Sequence, residues 1–394
     1  MIRFYLLIIV SLISLLAFLK APEYHLWLLA IGVTEFPLIF FGISLLLTLT
    51  GFWAHKYQMA GTILGVVTML IFLSPIVRAY WVSKTLKDDM AKAFKSADGK
   101  GTPGLSATDV PFSFWNLFKG TDTIDYRTIT YVKYKDTALK LDFYPAQDQG
   151  TDFLLPKPCV IVVHGGSWAG GDSKQLPELN SYLALKGYNV AAINYRMAPK
   201  WQTPAPVEDI QAAITYLKTH ADELHIDVRN FVLLGRSAGA QIATLAAYTI
   251  NEPSLKGVID FYGPEDMVWG YSIPSSRLIM DSRKVMEDYI GGTYSKVPQK
   301  YYACSPLEFV SKQSPPTLII HGDNDVLVSP EHSRRLNLKL QQNGIRHYLL
   351  KLPWATHGFD YNLNGPGGQL STFAVATFLK TVCPRPPKEG GIKY

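Results

Sequence analysis

A glycine-bounded serine between an apolar run and a helical segment constrains this chain most. Residues 231–234 are wholly apolar, Gly-Arg-Ser-Ala-Gly follows at 235–239, and a helix-period segment begins directly after it. Glycine on both sides of Ser237 predicts a tight strand-to-helix turn that raises the serine hydroxyl above a sheet. The amide of Ala238 then lies at a helix N-terminus, where a developing negative charge is stabilised. An ordinary serine in a glycine-rich loop is the alternative, so the partner residues decide.

A second glycine-rich stretch, His-Gly-Gly-Ser-Trp at residues 164–168, follows another short apolar run. Glycine at positions 165 and 166 lets backbone N–H groups approach a substrate oxygen that a side chain would crowd. We therefore expect the amides of Gly165 and Gly166, with the one at the helix start, to form an oxyanion hole. His164 is expected to orient this loop by hydrogen bonding. An ordinary βα turn is the alternative; a dinucleotide site is disfavoured because G-x-G-x-x-G is not satisfied.

The candidate acid lies in His-Gly-Asp-Asn-Asp-Val-Leu-Val at residues 321–328, directly after a predicted strand. The later carboxylate, Asp325, has room in the loop to fold back towards a histidine. Asp323 is expected to cap the turn instead. Asp260, at the end of another predicted strand, is the one other acid to consider.

The candidate base is His357, in the loop after the last predicted strand and after the acid in chain order. Outside the two loop motifs that begin with His164 and His321, the remaining histidines fall elsewhere: His25 and His55 in the apolar head, His220 and His225 at a helix end, His347 on a strand and His332 on a predicted surface helix. These positions predict a triad in which His357 removes the proton of Ser237 and Asp325 orients the imidazole. Such acyl transfer requires no metal and no organic cofactor.

The motifs together resemble the α/β-hydrolase superfamily, and within it serine esterases similar to hormone-sensitive lipase and to the feruloyl-esterase/kynurenine-formamidase-like (BD-FAE-like) branch. The resemblance covers about residues 131–379 and includes the segments at 141–145, 164–168, 194–199, 235–239, 305–307, 321–328 and 357–359. It implies a Ser-His-Asp hydrolase of carboxylic esters. Two positions depart from the hormone-sensitive-lipase pattern: Ser167 stands where a third glycine is usual, and Arg236 where an acid is common.

Strand and helix patterns alternate from residue 128 onwards. Residues 128–134 and 139–144 look like an antiparallel pair. Further strand runs occur at 160–163, 188–194, 231–234, 257–262, 317–320 and 347–352. The pattern predicts an α/β fold with a doubly wound, mostly parallel sheet. We assign residues 121–383 to this catalytic domain, with a cap insertion near 265–302 and a tail at 384–394.

The first eighty residues differ sharply from the rest because they are membrane-like in composition. Uncharged apolar runs occupy residues 4–19, about 36–53 and 59–77. They predict an anchor at residues 1–82 with about three transmembrane helices; two spans, with the first run in the interface, are the alternative. The first run also has the length of a signal peptide, but no A-x-A cleavage pattern follows it. Residues 83–120 read as a linker with an amphipathic stretch.

Charge and cysteine content bound the partners. The lysine-rich stretch after the third run places the catalytic domain on the cytoplasmic side, although Arg3 favours the opposite orientation. The net charge of +6 is spread along the chain rather than gathered in a stripe, which disfavours nucleic acid. Three cysteines without a C-x-x-C pattern predict neither a disulfide framework nor a structural zinc site.

These features together predict a membrane-anchored serine hydrolase that cleaves esters of small or lipid-like alcohols. An amidase or peptidase with the same triad is the first alternative, because the motifs do not specify the leaving group. A non-catalytic membrane scaffold is the second, although such a protein usually lacks a triad residue and all three are present here.

Overall fold

The structure is a computed structural model that describes residues 1–53, 56–95, 110–147 and 155–383. The predicted tail at 384–394 and the part of the predicted linker at 96–109 lie outside the described residues.

Four helices form the N-terminal part of the chain. They are α1 (Ile2–Ser14), α2 (Tyr24–Glu35), α3 (Pro37–Leu49) and α4 (Gln58–Ala93). Among the described residues, α4 is the one helix long and apolar enough to cross a membrane; α2 and α3 pass as a pair bent by 88°, and Ile2–Ala17 is a shorter apolar helix. Helices thus cover all three apolar runs, while the number of spans stays a prediction. We call residues 1–82 the helical head.

Residues 83–93, which we expected to belong to a linker, continue α4 without a break. Leu86, Met90 and Phe94 recur every fourth residue and are fully buried, so this end of the helix presents an apolar stripe to the catalytic domain. The Phe94 ring meets that of Phe378 edge-on at 5.0 Å. We predicted a linker because this stretch is rich in lysine, and composition alone does not show that its apolar residues fall on one helix face.

Glu35, an acidic residue within the helical head, is hydrogen-bonded to the catalytic domain. Its side chain is buried, and a carboxylate oxygen accepts the amide of Gly367 at 2.8 Å. The Glu35 carbonyl accepts the side-chain amide of Asn362 at 2.7 Å. Gly367 lies in the first turn of a C-terminal helix, where a carboxylate is favoured by the unpaired N–H groups. Helix α2 therefore docks on the catalytic domain, and the bend to α3 follows.

A single eight-stranded sheet organises the rest of the chain. The strands are β1 (Arg127–Lys133), β2 (Ala138–Tyr144), β3 (Lys157–Val163), β4 (Asn189–Ile193), β5 (Ile226–Arg236), β6 (Leu255–Phe261), β7 (Thr317–Gly322) and β8 (His347–Leu352). Their order is β1-β2-β4-β3-β5-β6-β7-β8; β2 pairs antiparallel with β1 and β4, and the other neighbours are parallel. The predicted mostly parallel, doubly wound α/β sheet is confirmed.

Helices cover both faces of the sheet. They are α5 (Pro177–Leu185), α6 (Ala205–Thr219), α7 (Ala221–Leu224), α8 (Ala238–Thr249), α9 (Met267–Ser272), α10 (Ser282–Ile290), α11 (Pro298–Ala303), α12 (Glu331–Gln342) and α13 (Pro366–Val382). Alternate residues of β3 point to opposite cores: Ile161 and Val163 into one, Val160 and Val162 into the other. Burial on both faces is why this strand reads as an uninterrupted apolar run.

The turn from β5 to α8 has the tight geometry that its glycines predict. Ser237 has φ +52° and ψ −121°, a backbone conformation that residues other than glycine rarely adopt. A Cβ at Gly239 would lie 2.3 Å from the carbonyl oxygens of both Val163 and His164. Helix α8 therefore crosses the end of β3 at a distance that only glycine allows.

Replacing Gly239 by alanine should lower the free energy of unfolding by about 2–3 kcal/mol, because the backbone of β3 must shift to admit the methyl group. Denaturant unfolding of the detergent-solubilised protein measures this. Gly120→Ala is the matched control, since nothing lies within 4 Å of a Cβ there. Equal stability of the two variants would show that the crossing is looser than described.

Candidate active site

Three side chains on three different loops form one hydrogen-bonded chain. Ser237 follows β5, Asp325 follows β7 and His357 follows β8, so all three lie at the carboxyl ends of the parallel strands. Ser237 Oγ lies 3.0 Å from His357 Nε2, and Asp325 Oδ2 lies 2.7 Å from His357 Nδ1. The sequence-predicted serine, histidine and acid therefore meet, in the order that serine acyl transfer needs.

The Asp325 carboxylate is buried and fully engaged. Its Oδ1 accepts the amides of Leu327 and Val328, both at 2.9 Å. Burial alone would raise the pKa of this carboxyl, but the imidazoles of His357 and His321, by charge and hydrogen bonding, hold the pKa well below its usual range. Asp325 is therefore an anion at neutral pH.

His321 is a contact that sequence reasoning missed. Its Nε2 lies 3.2 Å from Asp325 Oδ2 and 3.1 Å from the Val328 carbonyl, while Nδ1 lies 2.6 Å from Ser333 Oγ. Because both neighbours of Nε2 are acceptors, the imidazole donates there, and one of its acceptors is the same Asp325 oxygen that His357 contacts. His321 is the first residue of the motif that contains Asp325, so its closeness in sequence to the acid could have indicated this contact.

The two competing acids are placed elsewhere. Asp323 makes a 3.6 Å ion pair with Arg334 and, within the described part of the chain, is not seen to cap the turn as expected. Asp260 is buried and accepts the amide of Gly263 at 2.7 Å. Burial raises the pKa of Asp260, so this carboxyl does not behave as an ordinary surface acid. His357 pairs with Asp325 and with neither of these two.

The glycine-rich loop after β3 differs from the expectation at one residue. The amide of Gly165 donates to Gln175 Oε1 at 2.7 Å and is therefore already occupied. The amides of Gly166 and Ala238 donate to no other described residue, and that of Ala238 has no intrahelical acceptor because it begins α8. Ser167, at the position of the usual third glycine, has a left-handed φ of +54°. Serine thus adopts the backbone that glycine would favour.

Buried contacts hold this loop in place. His164 Nδ1 donates to the Gly165 carbonyl at 2.7 Å, and its ring stacks on Tyr195 at 4.3 Å, as expected of an orienting residue. Burial lowers the pKa of His164, which keeps the imidazole neutral. Trp168 Nε1 donates to Gln241 Oε1 at 2.8 Å, and its ring stacks on Tyr289 at 4.6 Å. The loop is therefore fixed to both α8 and α10.

Arg236, the second residue that departs from the hormone-sensitive-lipase pattern, forms a buried ion pair with Asp360. Its Nε donates to Asp360 Oδ2 at 2.5 Å, and Tyr262 donates to Asp360 Oδ1 at 2.5 Å. The arginine and the aspartate are both almost completely buried. Because Arg236 precedes Ser237 and Asp360 follows His357 by three residues, this pair ties the nucleophile turn to the base loop. Sequence reasoning singled out Arg236 but did not find its partner.

A cavity of about 310 Å³ opens beside Ser237. Residues 265–302 lie between β6 and β7, and we call them the β6–β7 insertion. They supply much of the apolar lining of the cavity, including Ile273, Ile279 and Met280. His332, which we expected on a surface helix, is buried in the cavity wall, and desolvation lowers its pKa to about 3. The described residues contain no group of three or more His, Cys, Asp or Glu side chains placed to hold a metal ion.

The chain is similar in sequence to curated bacterial esterases. Esterase LipC of Mycobacterium tuberculosis is 30% identical over 262 residues, 63% of this chain and 63% of its own length. Probable carboxylic ester hydrolase LipM of the same organism is 29% identical over 297 residues, 71% of this chain and 66% of LipM. The matches thus span less than two thirds of either relative.

The solved structure of Thermogutta terrifontis esterase 2 has the same fold. It superposes with a TM-score of 0.56 and 22% identity, covering 67% of this chain and 98% of that one. The model of the BD-FAE family matches residues 141–340, a stretch that contains Ser237, Asp325 and the glycine-rich loop after β3. This chain belongs to the BD-FAE family of α/β-hydrolases.

Proposed function

We propose that this chain hydrolyses carboxylic esters through a covalent acyl-enzyme formed on Ser237. The observation that carries the proposal is the chain of hydrogen bonds from Ser237 through His357 to Asp325, which ends at an apolar cavity. A serine, a base and an orienting acid in this sequence form the machinery of acyl transfer. The similarity to the esterase LipC and to LipM, a probable carboxylic ester hydrolase, favours an ester over an amide as the bond cleaved.

His357 moves the proton in both halves of the proposed reaction. Its Nε2 accepts the proton of Ser237 as Oγ attacks the ester carbonyl, and then gives it to the departing alcohol. Asp325 keeps the other proton of the ring on Nδ1 and stabilises the imidazolium. Water then attacks the acyl-enzyme with the same histidine as base, which releases the acid and restores the serine.

The amides of Gly166 and Ala238 are the proposed donors to the tetrahedral oxyanion. Both are unused by the described residues, and one of them begins α8, where the helix dipole adds to the effect. Each donor of this kind contributes roughly 3–4 kcal/mol to the stability of the transition state. Gly165, whose amide is bonded to Gln175, would support the loop rather than bind the oxyanion.

We further infer that the helical head is embedded in a membrane. Two arginines lie at opposite ends of the bundle of α1, α3 and the first half of α4. Arg3 donates to the Leu47 carbonyl at 2.8 Å and to Thr62 Oγ1 at 3.1 Å, while the Arg78 guanidinium covers the Phe18 ring at 4.6 Å. Sixteen residues of α4 separate Thr62 from Arg78, roughly 24 Å along the axis, which approaches the hydrocarbon thickness of a bilayer.

The surface between these two arginines supports membrane embedding. Exposed apolar side chains in this region include Leu6, Ile9, Leu12, Ile39, Ile43, Leu46, Ile63, Val67 and Leu70. An uncovered apolar surface of this extent is unfavourable in water. Trp81 in α4 and Trp115 before β1 are 66% and 74% exposed, and such side chains favour the membrane interface. The lysines after residue 82 favour a cytoplasmic catalytic domain.

Ser237→Ala should abolish ester hydrolysis and labelling by a fluorophosphonate probe while leaving the unfolding transition unchanged, because only the attacking oxygen is removed. Turnover of p-nitrophenyl butyrate by detergent-solubilised protein measures the first effect. Ser295→Ala, at an exposed serine, is the control and should keep full activity. Hydrolysis at the unmodified rate by Ser237→Ala would refute the proposed nucleophile, and faster turnover of amides than esters would favour the amidase alternative.

Asp325→Asn should reduce kcat by roughly 10⁴-fold, because the amide cannot hold the required tautomer of His357. It should also change the pH dependence of stability. The pKa of Asp325 is lowered by folding, so its ionisation stabilises the fold above the unfolded pKa of about 4, and this contribution is lost as pH falls below that value. Unfolding free energies of the two proteins should therefore converge in acid. A constant difference from neutral pH down to acid would contradict the assigned anion.

The membrane proposal predicts that the expressed protein remains in the membrane fraction after an alkaline carbonate wash and is released by detergent, because apolar surface rather than charge holds it. A reporter fused after Lys100 should give a cytoplasmic signal. Release by carbonate or high salt would place the head on the membrane surface only. An extracytoplasmic signal would reverse the orientation.

A further inference from the structure

The helical head supplies part of the wall of the active-site cavity. Lys20, Ala21 and Pro22, in the loop before α2, line the same cavity as Ser237 and Asp325. Ala21 is 5% exposed, so this loop is packed against the catalytic domain. The cavity beside the nucleophile is therefore incomplete without the segment that leads out of the apolar bundle.

This segment touches the loops that carry Asp325 and His357 and also the β6–β7 insertion. Trp27 Nε1 donates to the carbonyl of His357 at 3.1 Å. The side-chain amide of Asn324, next to Asp325, donates to the Phe18 carbonyl at 3.4 Å. The amide of Tyr24 donates to the Leu278 carbonyl of the β6–β7 insertion at 3.1 Å. The position of the head is thus fixed relative to the base, the acid and the insertion.

The cavity reaches the surface between the head and the β6–β7 insertion. Residues that both line the cavity and are exposed lie on both sides of this opening: Lys20 and Pro22 on the head, and Ile273, Pro274 and Ser276 on the insertion. We call residues 20–22 and 273–276 the mouth of the cavity.

The rim of the mouth is apolar on both sides. Leu19 precedes the mouth on the head and is 57% exposed; Leu278 follows it on the insertion and is 70% exposed. Ile273 within the mouth is 58% exposed. An entrance used by water-soluble esters gains nothing from such a rim, whereas an apolar chain passing from lipid avoids contact with water along it.

The mouth also lies at the end of the bundle that faces the catalytic domain. Phe18, two residues before Lys20, is covered by the guanidinium of Arg78, which marks that end of the bundle. Lys20 is therefore placed where long cationic side chains reach the headgroups from an apolar surface. If the head is embedded as proposed, an opening at this level lies at the depth of the lipid headgroups.

The size of the cavity fits partial entry of a long chain. About 310 Å³ is at the lower end of the range of ligand pockets, so a long-chain lipid cannot be enclosed completely. The part that stays outside needs an apolar surrounding, which the rim and the bilayer provide.

From these observations we propose that the substrates are membrane-resident amphipathic esters with a long apolar chain, which enter from the bilayer through the mouth. The proposal rests on the proposed function, ester hydrolysis at Ser237. It assigns residues 18–24 of the head to substrate selection in addition to attachment.

The test compares two esters with the full-length protein reconstituted in phosphatidylcholine vesicles. One is a fluorogenic palmitoyl ester embedded in the same vesicles, and the other is p-nitrophenyl butyrate in solution. Leu19→Asp and Leu278→Asp each place a carboxylate on one side of the rim. Leu338→Asp, at a leucine of α12 that is 54% exposed and outside the cavity lining, is the matched control.

We expect each rim variant to lower the rate on the embedded ester about ten-fold more than the rate on butyrate, because an apolar chain loses favourable contact along its path. Leu338→Asp should leave both rates unchanged. A single rim variant that fails to fold does not remove the test, since the two leucines belong to different segments.

Distinct outcomes overturn the two proposals. Hydrolysis of butyrate without hydrolysis of the embedded ester, or equal effects of the rim variants on both esters, would refute entry from the bilayer and leave ester hydrolysis standing. Absence of fluorophosphonate labelling and of turnover with either ester would refute the proposed function and the inference together.

Discussion

The close crossing of α8 over the end of β3 is the constraint on which the site depends. Gly239 lets the helix approach the carbonyls of Val163 and His164 so closely that a methyl group would overlap them. This contact sets the turn in which Ser237 takes its left-handed conformation, and it places the start of α8 beside the loop after β3. Ser237 and the amides proposed to bind the oxyanion are thereby positioned by backbone packing, which needs no flexible side chain to adjust.

Buried polar contacts then bring the remaining loops to the same point. Asp325 is held by two backbone amides and by His321, so its geometry does not depend on His357 alone. The Arg236–Asp360 pair connects the nucleophile turn with the base loop. A buried ion pair of this kind contributes little net stability but strongly penalises any arrangement that separates its members. The pair therefore fixes the geometry of the site mainly because separating its two members would cost free energy, and adds little to the stability of the fold.

The helical head has a double relation to this machinery. Its outward surface is apolar and suits lipid, while α2 docks on the catalytic domain through Glu35 and Trp27. The head and the catalytic domain thus meet at one packed junction. The continuation of α4 into the catalytic core strengthens this junction, because one helix belongs to both parts.

Local patterns in the sequence were sufficient to predict the sheet, the turn at Ser237 and the two side chains that meet it, Asp325 and His357, because each pattern depends on residues adjacent in the chain. A strand followed by glycine, or an acid in a loop after a strand, carries its own signal. The occupied amide of Gly165, the partner of Arg236, the burial of His332 and the cavity wall formed by Lys20 to Pro22 were decided by tertiary structure alone. The last three join segments far apart in the chain, and the first depends on how a single loop folds back on itself. No spacing or periodicity reports which residues meet when the sheet, the helices and the head are packed together.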